Sequence, residues 1–267
     1  LVLRSVVASG RTSDHPPVVR VTRCKAAGRA PDRRAPSPAS ILGTMTVAAA
    51  ILSATAEGAL ADTLGQPRVR RLADIAWAGG ALPVIVLSPD PDGTVAKALA
   101  GAEAIHGLPA PAEHGPAGQM LRAAELAQAA VSDLTAILLW PARMTWVGPE
   151  TITSLIEAHG TDRATMLRPA WQGEPGWPVL LPTAHLATLG RVAADRMPPA
   201  IIDELALAIP TRVVEVGDPG VTHDVDTPRD ALPPYEGPPD PPAGHRHEWG
   251  ADVEAEAGLD PPADERS

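Results

Sequence analysis

The stretch Ala142-Arg143-Met144-Thr145-Trp146-Val147-Gly148-Pro149-Glu150-Thr151-Ile152 directly follows the apolar run Thr135–Leu139. It reads as the end of a buried strand, a short loop, and a helix start with Pro149 and Glu150 in its first turn. A loop at the mouth of a parallel α/β sheet lies where ligands usually bind. Arg143 sets a permanent cation there, suited to a phosphate group. Downstream, Asp224-Val225-Asp226 carries two carboxylates that point the same way if they sit on a strand end. Its plainer reading is that Asp226-Thr227-Pro228 caps and terminates a strand. Trp177, between Gly176 and Pro178, either stacks on a planar ligand or covers an apolar edge. Gly118 and Arg122 lie at the start of a helix, where Arg122 either faces a ligand or is simply solvated. His245-Arg246-His247-Glu248 reads as solvated histidines rather than a metal site, and no Ser/His/Asp arrangement has a supporting nucleophile motif.

Alternating strands and helices must position these groups. Thr46–Leu52 is a continuous apolar run of buried-strand length. Pro67–Ala78 places Val69, Leu72, Ala73 and Ala76 at helical spacing and ends at Gly79-Gly80, a C-cap signal. Pro83–Leu87 predicts a second strand, closed by Ser88-Pro89-Asp90-Pro91-Asp92-Gly93. Thr94–Ala100 predicts a short helix, Glu103–His106 a strand, Gly118–Val131 a helix, Thr135–Leu139 a strand and Pro149–His159 a helix. Beyond residue 160, Ala164–Arg168 and Pro178–Leu181 read as strands around the loop Trp171–Trp177. Helices Thr183–Leu189 and Ala200–Leu207 follow, then a strand over Arg212–Val216. This order predicts a mostly parallel sheet with right-handed crossovers.

Composition bounds the possibilities. A chain of 267 residues with 45% hydrophobic content is long enough for one large α/β domain or two small ones. It has no Phe and a single Tyr, so Ala, Leu, Val and Ile must fill the core with help from six Trp. Cys24 is the only cysteine, which excludes an intramolecular disulfide and a cysteine-based zinc site. No apolar run approaches the ~18 residues of a membrane helix, and the expected location is cytoplasmic. Residues 1–44 carry eight Lys/Arg against Asp14 and Asp32, leaving the remainder at −16 within a total of −10. An acidic body of this kind argues against nucleic-acid binding.

The ends read differently from the middle. Residues 1–44 lack sustained periodicity and are rich in Arg, Pro, Ser and Ala. They read as a targeting segment, as a basic interaction arm, or, the preferred reading, as sequence upstream of a start at Met45, and are expected to be disordered. Residues 233–267 read as a disordered, Pro-rich acidic tail.

Three segments together resemble the MobA-like nucleotidyltransferases, especially the molybdenum-cofactor cytidylyltransferase branch. Ala142–Ile152 is similar to that family's G-D-M-P-x-V-x-P-E-T-x. Gly173-Glu174-Pro175-Gly176-Trp177-Pro178-Val179-Leu180-Leu181 is similar to G-x-P-G-H-P-V-L-F. Gly217-Asp218-Pro219-Gly220-Val221-Thr222-His223-Asp224-Val225-Asp226-Thr227-Pro228-Arg229-Asp230 is similar to G-D-x-G-x-x-x-D-I-D-T-P-E-D. The resemblance implies a three-layer α/β/α, Rossmann-like nucleotidyltransferase domain with a mostly parallel, mixed sheet over residues 45–232. It further implies a nucleoside triphosphate at the carboxyl ends of the strands and Mg²⁺ bridging phosphates and carboxylates, with Asp224 and Asp226 as the metal ligands.

The resemblance breaks at ligand-facing positions. The family's phosphate loop L-A-A-G-x-S-x-R-M-G is here Leu52-Ser53-Ala54-Thr55-Ala56-Glu57-Gly58, with Thr55 at the glycine and no Arg or Lys between Met45 and Arg68. Arg143 stands where the family keeps a metal-binding aspartate, and Trp177 stands where it keeps a histidine. By resemblance the nucleotide would meet Ser53, Thr55, Gly118, Arg122 and Arg143, and Trp177 would meet the base or pterin. These losses favour a catalytically degenerate member that binds a nucleotide, a related phosphate ligand or a protein partner. The alternatives are an active Mg²⁺-dependent enzyme and, more weakly, a sugar-nucleotide transferase on the same fold. Arg143 itself binding phosphate in a metal-free anion pocket is a further possibility.

Overall fold

The structure, a computed structural model, describes residues 45–237. The expectations for residues 1–44 and 238–267, including the His245–Glu248 stretch, lie outside the described residues.

Strand β1, Thr46–Leu52, is apolar along its length because it is covered on both faces. It pairs in parallel with β4 (Val84–Leu87) on one side and β6 (Leu134–Pro141) on the other. Strand β5 (Ala104–Gly107) extends the parallel run beyond β4. Beyond β6 the direction reverses: β9 (Val179–Pro182) is antiparallel to both β6 and β7 (Met166–Trp171). The edge strand β10 (Thr211–Glu215) is again parallel to β7, giving the order β10-β7-β9-β6-β1-β4-β5. Two-residue β8, Glu174–Pro175, pairs antiparallel with the end of β7. The sheet is therefore mixed and mostly parallel.

Strand alternation divides the core into two layers. Val47, Ala49, Ile51, Val84, Val86, Leu138 and Trp140 face one side. There they meet α2 (Arg68–Ala78) through Val69, Leu72 and Ala76, and α5 (Pro149–Thr161) through Ile152 and Leu155. Ala48, Ala50, Ile85, Leu87, Ile137 and Leu139 face the other side. They meet α4 (Gly115–Ala130) and α7 (Pro198–Ala208). Without Phe, the chain closes this second layer with small side chains: Ala48 and Ala50 share it with Ala117, Ala123, Ala124 and Ala127 of α4, all buried.

Elements invisible to periodicity are short. Helix α1, Ala56–Leu60, has five residues, too few to show an amphipathic repeat. The ribbon β2 (Asp62–Thr63) and β3 (Gln66–Pro67) turns through Leu64 and Gly65, both at positive φ, as a tight hairpin requires. Helix α3, Thr94–Ala98, stops slightly earlier than its sequence pattern. Strand β7 starts at Met166 rather than Ala164 because Asp162 holds the Ala164 N–H and the Thr165 hydroxyl in a turn. The segment Thr183–Leu189 enters as a 3₁₀ turn and becomes the short helix α6, Leu186–Leu189. No helix among the described residues is long and apolar enough to cross a membrane.

Register sets up the site. Leu52 lies opposite both Leu87 and Pro141, so β1, β4 and β6 end level with one another. The loops leaving all three therefore open at the same edge.

Candidate functional site

At that edge lies a cleft of about 690 Å³. Its floor is Leu52, Leu87 and Pro141 at the strand ends, and Met120 and Met197 add apolar wall. The loop after β1 supplies Ser53, Ala54, Thr55 and Gly58, and the loop after β6 supplies Ala142 and Arg143. Helix α4 contributes Gly115, Pro116 and Gln119. The Gln119 side chain clamps Ala110 of the facing loop, accepting its N–H at 2.8 Å and donating to its carbonyl at 2.9 Å.

The hydroxyls after β1 are spent on the loop itself. Ser53 donates to the Thr55 carbonyl at 3.0 Å, and the Thr55 oxygen accepts the Gly58 N–H at 2.9 Å as the N-cap of α1. Positive charge comes instead from Arg68, on the first turn of α2. Its guanidinium folds back to donate to the Gly58 carbonyl at 3.1 Å, while its Nε is buried without a partner. Burial first, and then the nearby Arg143, hold its pKa below the ordinary arginine value, with Asp224 opposing them. Arg71 on the same turn is also lowered, by burial first and then by Arg229. The first turn of α2 holds no acidic residue, although a helix N-terminus favours one.

Arg143 closes on both candidate metal ligands. Its Nε and Nη2 donate to Asp224 Oδ2 at 3.1 and 2.9 Å, and Nη2 also donates to Asp226 Oδ2 at 2.5 Å. Hydrogen bonding to Asp224 is the leading cause of the raised Arg143 pKa. Asp224 and Asp226 lie in a turn rather than on a strand end, because regular pairing stops at Glu215 and the chain passes through a 3₁₀ turn at Pro219–Val221. The turn is held by the Asp226 N–H on Asp224 Oδ1 at 2.9 Å and the Thr227 N–H on the Asp224 carbonyl at 3.0 Å. Arg143, not strand alternation, makes the carboxylates converge.

Asp218 ties the same two segments together from below. Only 3% exposed, it accepts from the Gly148 N–H at 2.8 Å, the Thr151 hydroxyl at 2.7 Å and the Gly220 N–H at 2.8 Å. Trp146 donates its indole N–H to the carbonyls of Asp224 and Thr227. The Val225 N–H meets the Arg143 carbonyl at 3.0 Å.

Five sequence candidates lie outside the cleft lining: Asp224 and Asp226, which reach it only through Arg143, and Gly118, Arg122 and Trp177. Gly118 faces away from it: a Cβ there would stand 2.3 Å from that of His114, so the glycine makes room for that side chain. Arg122 pairs with Glu125 on the outer surface of α4 at 3.2 Å. Trp177 donates its backbone N–H to the Val221 carbonyl and packs partly buried against both core layers, covering an apolar edge. Arg68 and Gln119 take the places at the cleft that Arg122 and Gly118 were expected to hold. The sequence signal for Arg68 was its position, the first cation after β1 and directly at a helix start.

The model of the MobA-like NTP transferase domain matches residues 56–209. The chain belongs to that family. Among solved structures, a nucleotidyl transferase from Methanothermobacter shares 16% identity over 68% of this chain and 92% of its own, with a TM-score of 0.56. A Mycobacterium tuberculosis protein in complex with manganese shares 16% over 65% of this chain and 89% of its own, at TM-score 0.50. CMP:2-keto-3-deoxy-manno-octonic acid synthetase complexed with CTP shares 14% over 68% of this chain and 94% of its own, also at 0.50. At these identities the likeness is one of fold. No curated protein sequence matches the chain.

For this MobA-like domain, the fit of a divalent cation is decided by Arg143. Such a cation needs hard oxygen ligands with free lone pairs, and Oδ2 of both Asp224 and Asp226 is taken by the Arg143 guanidinium, while Asp224 Oδ1 accepts the Asp226 N–H. Among the described residues, no group of three or more His, Cys, Asp or Glu is arranged to hold a metal ion. The residues present do not fit Mg²⁺.

Proposed function

We propose that this chain binds a nucleotide or a related phosphate ligand in the cleft below Arg68 and Arg143, and that its nucleotidyl-transfer machinery is degenerate. The observation that carries this reading is the closed contact of Arg143 with Asp224 and Asp226. Nucleotidyl transfer depends on neutralising the charge that develops on the transferred phosphate, and the carboxylates that would place a metal for it are already occupied by Arg143.

The remaining lining supports binding. Apolar walls from Leu52, Leu87, Met120 and Met197 suit a planar base, and Arg68 adds a cation to the lining. As a guanidinium lining the cleft, it favours an anion beside it. In this reading Ser53 and Thr55 shape the loop around the ligand through their internal bonds. Gly118, Arg122 and Trp177 set the surrounding packing.

A second reading is an active Mg²⁺-dependent nucleotidyltransferase of the molybdenum-cofactor cytidylyltransferase type. The CTP complex and the manganese complex among the structural neighbours favour it. It requires Arg143 to swing away from Asp224 and Asp226 when metal and nucleotide enter. Thermal-shift titration with CTP, GTP, UTP and ATP, with and without Mg²⁺, separates the two. The degenerate reading expects a shift with at least one nucleotide and no pyrophosphate release. A Mg²⁺-dependent shift followed by pyrophosphate release with any acceptor would sink it.

A further inference from the structure

Two carboxylates brought together at the rim of a ligand cleft repel one another, and something must stand between them. In this chain it is one guanidinium, which reaches Asp224 through two nitrogens and Asp226 through one. The backbone fixes that arrangement. The Arg143 carbonyl is bonded to the Val225 N–H, which holds the backbone of Arg143 beside the turn bearing both carboxylates. Trp146, three residues on, is bonded to the carbonyls at either side of that turn. The guanidinium does not lose its proton in the accessible pH range, and its two carboxylates raise its pKa further.

We propose that Arg143 is a built-in cation standing in the place of a divalent ion between Asp224 and Asp226, so that the cleft takes its phosphate ligand without metal. The inference rests on the proposed reading only in taking the cleft as the ligand site. Three features converge on it. The bridging charge is covalently tethered and cannot exchange with solvent. An entering divalent ion would find Arg143 already seated between the two carboxylates, with a second cation, Arg68, lining the same cleft. Asp226 spends its backbone N–H on Asp224 Oδ1, which leaves Asp224 no oxygen free of a protein donor.

The test uses Mn²⁺ alone, titrated into the full-length protein and followed by the paramagnetic resonance of the free ion. The wild-type chain is expected to leave that signal unchanged. Arg143→Ala, which keeps only the native carboxylate pair, is expected to bind Mn²⁺ at least about tenfold more tightly than wild type, because a cation has been removed from contact distance. The double substitution Asp224→Asn with Asp226→Asn, added to Arg143→Ala, should abolish the gain. Arg143→Asp serves as a second variant, and far-UV circular dichroism with a thermal melt verifies that each protein is folded.

Uptake of Mn²⁺ by the wild-type chain that is lost in Asp224→Asn would overturn the proposal. So would folded Arg143→Ala and Arg143→Asp proteins that both fail to gain it. In a parallel arm, binding of CTP, GTP, UTP or ATP that survives EDTA supports the proposal, and nucleotide binding that needs Mg²⁺ overturns it. If no nucleotide binds, the proposed function fails while the Mn²⁺ titration still decides the role of Arg143.

Discussion

Two carboxylates a few residues apart serve opposite purposes in this chain, and burial separates them. Asp218 is enclosed and satisfies three donors, two of them in the loop that carries Arg143 and the helix start behind it. Asp224 faces the rim and pairs with an arginine side chain that is 56% exposed. Removing Asp218 orphans buried donors, so Asp218→Ala should lower stability by about 3 kcal/mol or more in urea denaturation. Arg143→Ala removes three hydrogen bonds yet should change stability by less than about 1 kcal/mol, because exposed ion pairs trade one well-solvated state for another. A cost above that for Arg143→Ala would mean the bridge is structural rather than part of the site. Arg68→Ala should weaken nucleotide binding by roughly tenfold in calorimetry, the value of one charged hydrogen bond. An unchanged affinity would remove Arg68 from the ligand.

At the scale of elements, the site depends on how closely three loops approach. The loop after β6, the segment around Gly176 and the turn from Gly217 to Thr227 meet with no room for side chains between them. A Cβ on Gly176 would stand 2.0 Å from the Val221 carbonyl oxygen, and one on Gly220 would stand 2.4 Å from the backbone of Trp146. Neither neighbour is a flexible side chain, so relief requires moving backbone. Gly176→Ala is therefore expected to cost about 1–3 kcal/mol, the range for overpacking a tight contact, and to weaken ligand binding in parallel through displacement of Arg143. Melting with and without nucleotide would reveal this, and a neutral Gly176→Ala would show that the loops can part without harm.

The whole molecule joins its parts through a buried polar contact at the other end of the sheet. His159 on α5 is fully buried. Thr135 gives its hydroxyl hydrogen to the Thr46 carbonyl, so its oxygen accepts from His159 Nε2, and Nδ1 is the bare nitrogen. Protonation would place an N–H at Nδ1, which has no partner. Burial first, and then Arg163, hold the pKa below the ordinary 6.5, against the pull of Asp162. The unfolded chain therefore takes the proton first as pH falls. The stability of the neutral form is complete above about 6.5, declines below it, and levels off once pH passes the lowered native value. His159→Gln should flatten this limb of a stability profile measured between neutral and mildly acid pH. An identical slope in wild type and variant would show that other groups control it.

Much of this was written locally. The apolar run Thr46–Leu52, the helical spacing of Val69, Leu72, Ala73 and Ala76, and the Pro149-Glu150 helix start each specify their element through short-range periodicity and backbone preference. Their alternating order fixes a mostly parallel sheet, which places the working loops at its carboxyl edge. The motifs around Gly176 and Gly220 were legible as motifs, but their physical reason, contact with Val221 and with Trp146 across 45 and 74 residues of chain, was not. Tertiary structure alone decided which candidates share a space. Helix rotation carried Arg122 to the outer surface and left Gln119 at the cleft, and folding of the loop after β1 brought Arg68 back beside Arg143. Above all, the sequence set Arg143 and the Asp224–Asp226 pair some 80 positions apart, as a cation and two carboxylates with independent roles. Only the folded chain joins them, because the charge of each is completed by the other across a contact that no local pattern encodes.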